Sequence, residues 1–270
     1  MIRGLKRFLM VGAAMVMGLF LASSGYSRTI TLTPENSLVL RGEVRSQNMA
    51  DLTHKVMSGK QDKLYLFIDS PGGSIFAGLK LVDALRATDK RIVCVANTAI
   101  SMAFVIFQAC DERLIMDDAI LMQHVASYGL DGQEPNNFTF ANFLHRMTQR
   151  MNHMQAQRMG MTDEAFYSKI RDDWWMWGDE AVKNKAADQV VDVKCSKELI
   201  NSYTTETFQV FIFTIKLKFS NCPLIPFPVG VGGEPEESKK TEQYKAEFQK
   251  ILDSFNPKST VEKRFLTPIR

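Results

Sequence analysis

The segment Leu64-Tyr65-Leu66-Phe67-Ile68 is an unbroken apolar run, followed closely by Ser70-Pro71-Gly72-Gly73. No other feature of the chain narrows its fold so much. A continuous apolar run of this length suits a strand covered on both faces, which is the habit of parallel sheets. Pro71 and the glycine pair then force a turn. Ile75 to Ala87 follows with helical spacing at Leu79, Val82 and Leu85, and Arg91 to Val95 reads as the next buried strand. Strand, helix, strand in this rhythm predicts an α/β fold with a parallel sheet and crossover helices. Upstream, Thr29 to Ile68 has the same strand, helix, strand reading. Its apolar run is Ser37 to Val44 and its helical stretch is Gln47 to Met57.

Downstream, Met102 to Ala109 reads as a buried helix. Leu114-Ile115-Met116 and Ile120-Leu121-Met122 read as short strands around a polar turn. Gly129 to Asn137 is loop-like. Phe138 to Met159 is a long helix whose apolar stripe is Phe143, Met147, Met151 and Met154. Thr162 to Ile170 is a shorter helix. Beyond Val193 the composition shifts. Phe208 to Phe219 alternates as a half-buried strand of a hairpin, Pro223 to Pro235 is a Pro/Gly-rich linker, and Tyr244, Phe248, Leu252 and Phe255 mark an amphipathic helix.

The chain of 270 residues, 45% hydrophobic and 23% charged, has room for one sizeable α/β domain with appendages. Its formal charge of +3 is carried by Arg3, Lys6 and Arg7, and setting those aside leaves a neutral chain in which no nucleic-acid binder is expected. These three residues precede the uncharged apolar stretch Phe8 to Leu21 and the small residues Ala22-Ser23-Ser24. That is the pattern of an export signal, or of a membrane anchor if it stays uncleaved. Membrane contact is expected through this segment alone, and the bulk of the chain is expected outside the cytoplasm, in a periplasmic or similar compartment. The four cysteines, Cys94, Cys110, Cys195 and Cys222, are compatible with that location. Cys195 and Cys222 bracket one strand-like segment, whereas Cys94 and Cys110 are equally readable as buried thiols. The organisation expected is a signal or anchor at 1–24, a catalytic domain at 25–195 and a β-strand extension at 196–222. A linker at 223–237 and a helical tail at 238–270 complete it.

Four segments carry chemistry. Ser101 follows a strand and small residues and opens an apolar helix, so it sits at a strand-to-helix turn with its hydroxyl and the following N–H groups facing one space. Taken alone it would be an ordinary helix cap. Gly72-Gly73 lets backbone approach a ligand closely, so that Gly73 N–H and Met102 N–H form an oxyanion-binding pair. His124 ends an apolar strand, where active sites of parallel sheets form, whereas His54, His145 and His153 lie on predicted helices. Asp172-Asp173 precedes Trp174-Trp175-Met176-Trp177, an apolar cluster able to shield a carboxylate. Spacing alone does not choose between the two aspartates. Nucleophile, base, orienting acid and oxyanion donors together are what acyl transfer through a serine needs.

From about Ser37 to Val193 the chain resembles the proteolytic subunit of the Clp protease, within the crotonase-like fold. The matching stretches are Phe67 through Gly78, Ala99-Ile100-Ser101-Met102-Ala103, Met122-Gln123-His124, and Arg171-Asp172-Asp173-Trp174 through Glu180-Ala181. The resemblance implies Ser101 as nucleophile, His124 as base, Asp173 rather than Asp172 as the third member, and Gly73 and Met102 as oxyanion donors. It implies peptide-bond cleavage through an acyl-enzyme without metal or organic cofactor, polypeptide substrates, and a homo-oligomer. The chain departs from the family at Asn97 and Ala103, where glycine is usual, and at Ile100, where a small residue is usual. An exported member has no cytoplasmic ATP-driven unfoldase to serve, so a Clp-type ATPase partner is not expected. Two other readings stay open: a signal-peptide-peptidase-like enzyme with a serine–lysine dyad, and a catalytically silent binding protein on the same fold.

Overall fold

The computed structural model describes residues 28–210 and 213–235. The expected export segment, the helix around Tyr244 to Phe255, and Phe211 and Ile212 lie outside the described residues. The chain runs β1 (Arg28–Leu32), β2 (Ser37–Arg41), α1 (Ser46–Ser58), β3 (Lys63–Ser70), α2 (Ile75–Ala87), β4 (Arg91–Ile100), α3 (Met102–Gln108) and β5 (Glu112–Gln123). It continues with α4 (Glu134–Met159), α5 (Asp163–Ile170), β6 (Trp174–Trp177), α6 (Asp179–Lys183), β7 (Gln189–Cys195) and α7 (Lys197–Ile200). A second small sheet follows: β8 (Tyr203–Val210), β9 (Phe213–Ser220) and β10 (Pro228–Pro235).

The main sheet has the order β1-β7-β5-β4-β3-β2, with β6 added antiparallel to the end of β5. Its other pairings are parallel. This is the α/β architecture of the crotonase-like fold, with α1, α2 and α3 as the connections between parallel neighbours. The period of two along each central strand divides its side chains between two cores. Leu64, Leu66 and Ile68 of β3 and Ile92, Cys94 and Ala96 of β4 face the core beneath the helices. Phe67 and the pair Val93 and Val95 face the opposite core. Leu199 of α7 and the segment Cys222 to Ile225 cover that second face, and a disulfide joins Cys195 at the end of β7 to Cys222. The residues after Val193 thus complete the sheet's hydrophobic sandwich.

Several local expectations shift. The apolar pieces around Asp117 and Asp118 belong to one strand, β5, whose pairing with β4 skips from Ile115 to Ile120 while both carboxylates reach solvent. The long helix begins at Glu134, with Pro135 in its first turn, where a missing N–H costs nothing. Its buried face is Leu144, Met151, Gln155, Ala156 and Met159. The stripe read from Phe143 and Met147 is therefore rotated, and Phe143 is exposed. Gly160, at φ 67°, ends the helix in the left-handed conformation that suits glycine. The alternating stretch Phe208 to Phe219 spans the end of β8 and most of β9. Much of the expected linker, Pro228 to Pro235, is β10, paired antiparallel with β9. Cys94 and Cys110 form a disulfide rather than remaining thiols.

Candidate active site

Strand β4 ends at Ile100 and α3 begins at Met102, so one residue, Ser101, makes the junction. Its backbone has φ 57° and ψ −119°, a conformation that costs on the order of 1–3 kcal/mol for a residue with a Cβ. Surrounding bonds hold it there. Ser101 N–H donates to Met122 C=O at 2.9 Å, and Ser101 C=O accepts from Phe104 N–H at 3.0 Å and from Val105 N–H at 3.3 Å. All of α3 is buried, from Met102 to Gln108, which anchors the turn from below. Met102, as the first helical residue, has no intrahelical acceptor for its N–H, and among the described residues its N–H has no other acceptor.

The glycine turn packs directly against this junction. A Cβ on Gly72 would lie 2.5 Å from the Ile100 carbonyl oxygen and 2.9 Å from Met102 N. Gly73 forms a parallel bridge with Val44. Val44 N–H donates to Gly72 C=O at 2.7 Å and Ser74 N–H donates to Val44 C=O at 2.9 Å. This pattern uses the groups flanking Gly73 and turns its own N–H to the other side, where it has no acceptor among the described residues. Gly78 of α2 is packed under the Met102 side chain, closing the space between the helices that follow the two turns.

His124 stands one residue beyond β5, and its Nε2 is 2.7 Å from Ser101 Oγ. The two chemistry-bearing strands are neighbours, with Ile100 paired to Met122, so the parallel register delivers both residues to the same edge of the sheet. Among the described residues no lysine bonds Ser101. His153, one of the other histidines, instead pairs with Asp163 at 2.9 Å on the surface. Asp172 and Asp173 fall in the turn between α5 and β6. The antiparallel register ends with Trp174 opposite Gln123, so Asp173 and His124 each lie one residue beyond it. Asp173 adopts φ 57°. It makes no hydrogen bond to His124, and the Ser–His contact forms without it. Asp172 is turned to solvent and bonded to Arg171, whose guanidinium holds its carboxyl below the usual carboxylate range.

The departures from the family pattern at Asn97, Ile100 and Ala103 have local accounts for two residues. Asn97 is engaged by β3, its amide donating to Asp69 at 3.1 Å. Ala103 is wholly buried, and its methyl is taken up by the core. Sequence reasoning missed three supports of the site. Ser70 is buried and its Oγ accepts Gly72 N–H at 3.2 Å. Arg113, also buried, binds Gln108, Asp188 and Lys185 C=O, bracing the start of β5 against the approach to β7. Gln123 and Gln155 form a buried amide pair behind His124. The visible signal for the last was a polar residue interrupting each of two apolar faces.

A serine on a tight turn at the carboxyl edge of a parallel sheet, facing a histidine from the adjacent strand, is the arrangement a serine hydrolase uses, here on a crotonase-like α/β fold. The Clp protease family model matches residues 22–194, and the chain belongs to that family, which marks it as a serine peptidase. It is similar to the ATP-dependent Clp protease proteolytic subunit 2 of Pseudomonas aeruginosa, 24% identical over 152 residues covering 55% of this chain and 76% of the relative. It is also similar to the ATP-dependent Clp protease proteolytic subunit of Streptococcus suis, 28% identical over 177 residues covering 62% and 88%.

Proposed function

We propose that this chain is an exported, ATP-independent serine endopeptidase that cleaves unfolded or short polypeptides. The observation that carries the reading is the 2.7 Å contact between Ser101 Oγ and His124 Nε2. In this mechanism His124 takes the Ser101 proton as Oγ attacks the scissile carbonyl. The N–H groups of Gly73 and Met102 receive the developing oxyanion, each contributing about 3–4 kcal/mol where such donors have been measured in other enzymes. The protonated His124 then delivers its proton to the leaving amine, and water resolves the acyl-enzyme by the same steps. Asp173, the residue just before β6, is the carboxylate assigned to orient the imidazole in this mechanism. Export is supported by the basic and apolar pattern of residues 1–24 and by two disulfides, which persist in oxidising compartments. A compartment without ATP leaves no role for an ATP-driven partner. Exposed Phe138, Phe140 and Phe143 on α4 offer an apolar surface for assembly with further copies.

A silent-scaffold reading draws on one observation, the lack of a hydrogen bond from Asp173 to His124. Labelling with a fluorophosphonate, beside S101A and H124A, separates the two. Labelling that disappears in both variants supports the peptidase, and folded wild-type protein that stays unlabelled supports the scaffold.

A further inference from the structure

His124 lies just past the last paired residue of its strand. The β4–β5 register ends at Ile100 with Met122, and the β5–β6 register ends at Gln123 with Trp174. No sheet neighbour holds the His124 backbone, and its N–H donates instead to the side-chain Oε1 of Gln123 at 3.0 Å. The Gln123 Nε2 donates in turn to Gln155 Oε1, and Gln155 Nε2 donates to Met151 C=O at 3.1 Å within α4. Gln123 is 2% exposed and Gln155 is wholly buried. The three hydrogen bonds run head to tail from the base into the helix, an arrangement in which each bond polarises the next.

We propose that Gln123 and Gln155 are positioning residues for His124. They fix the backbone of the base against α4 so that the imidazole meets Ser101. An apolar pair of the same volume would fill this space without desolvating two side-chain amides; what the amides add is direction. The chain of contacts also makes α4 the element whose placement sets the alignment of the base. The proposal rests on the reading of Ser101 and His124 as nucleophile and base.

The test uses full-length Q155L and Q155E, with fluorophosphonate labelling followed over a range of probe concentrations. Q155L should lower the maximal labelling rate about ten- to a hundredfold, the order expected for a misplaced catalytic group. Its half-saturating probe concentration should stay within about twofold of wild type, because probe binding does not use the relay. Q155E, whose carboxyl full burial keeps protonated, retains an acceptor for Gln123 and a donor for Met151 C=O and should recover most of the lost rate. A Q155L protein labelling at the wild-type maximal rate would overturn the proposal and leave the peptidase reading standing, and so would a Q155E as slow as Q155L. Wild-type protein that does not label overturns both. Should Q155L fail to fold, amide hydrogen exchange on the wild type decides. The His124 N–H should exchange at least about a hundredfold slower than the exposed Tyr128 N–H, and equal rates would sink the relay.

Discussion

Cys94 and Cys110 are joined across the segment that carries Ser101, one in β4 before the nucleophile and the other just beyond α3 after it. Both are buried. The bond closes a loop of 16 residues whose middle is the strained junction at Ser101. A loop of that size removes unfolded-state entropy worth about 3 kcal/mol. The C94A/C110A variant should therefore lose about 2–4 kcal/mol of unfolding free energy in a urea titration. An unchanged midpoint would show that the buried strand and helix hold the turn unaided.

Gly72→Ala tests the contact between the two turns. Its Cβ would press on backbone at Ile100 and Met102 and on Ser101 Cβ, 2.8 Å away, and the position has φ 88°. Backbone cannot step aside as a flexible side chain can, so the glycine turn must move. Fluorophosphonate labelling should fall by about 10²–10³-fold, the order seen when such donors are removed. Labelling at the wild-type rate would mean that the turn does not shape the site.

The surface pairing of Asp172 with Arg171, which Asp173 lacks, separates the two aspartates. D173N should reduce peptide hydrolysis by about 10²–10⁴-fold, as loss of the orienting carboxylate does in serine peptidases. D172N, which changes only a surface pair with Arg171, should stay within about twofold of wild type. Steady-state rates on an unstructured peptide decide the assignment, and the reverse pattern would exchange the two roles.

Asp188 predicts an acid limb in stability. Burial pushes its carboxyl up, but hydrogen bonds from the Arg113 side chain and backbone and the charges of Arg113 and Arg158 outweigh this and hold it below the usual carboxylate range. The folded state therefore binds the proton less readily than the unfolded chain. The contribution is complete above the unfolded value near 4 and is lost as pH falls through the lower folded value. Thermal unfolding midpoints measured across that window should drop more steeply for wild type than for D188N. Parallel curves would show that the pair is too screened by solvent to matter.

What the sequence made legible was what local chemistry dictates. Leu64 to Ile68, the Pro-Gly-Gly turn and the spacing of Leu79, Val82 and Leu85 each declare an element without help from distant residues. Ser101 and His124 were readable because both fall at element ends, where side chains reach the sheet's edge. Strand order was not readable. Nothing near Arg28 to Leu32 announces that this strand crosses to pair with Gln189 to Cys195. Asp117-Asp118 looked like a turn, and pairing with β4 does lapse there between Ile115 and Ile120, but the extended backbone runs through the gap as one strand. The helix face misread through Phe143 has the same origin. An aromatic left on the surface and a glutamine taken into the core, Gln155, are both settled by contacts far away in sequence.

The covering of the second sheet face by Cys222 to Ile225 sets an order of assembly. As the polypeptide is made from its amino end, the strands bearing Ser101 and His124 are complete about a hundred residues before the segment that seals Phe67, Val93 and Val95 from water. Until that segment arrives, the nascent protein presents a sticky, half-closed sheet. Its final shape therefore waits on residues that do not touch the reaction.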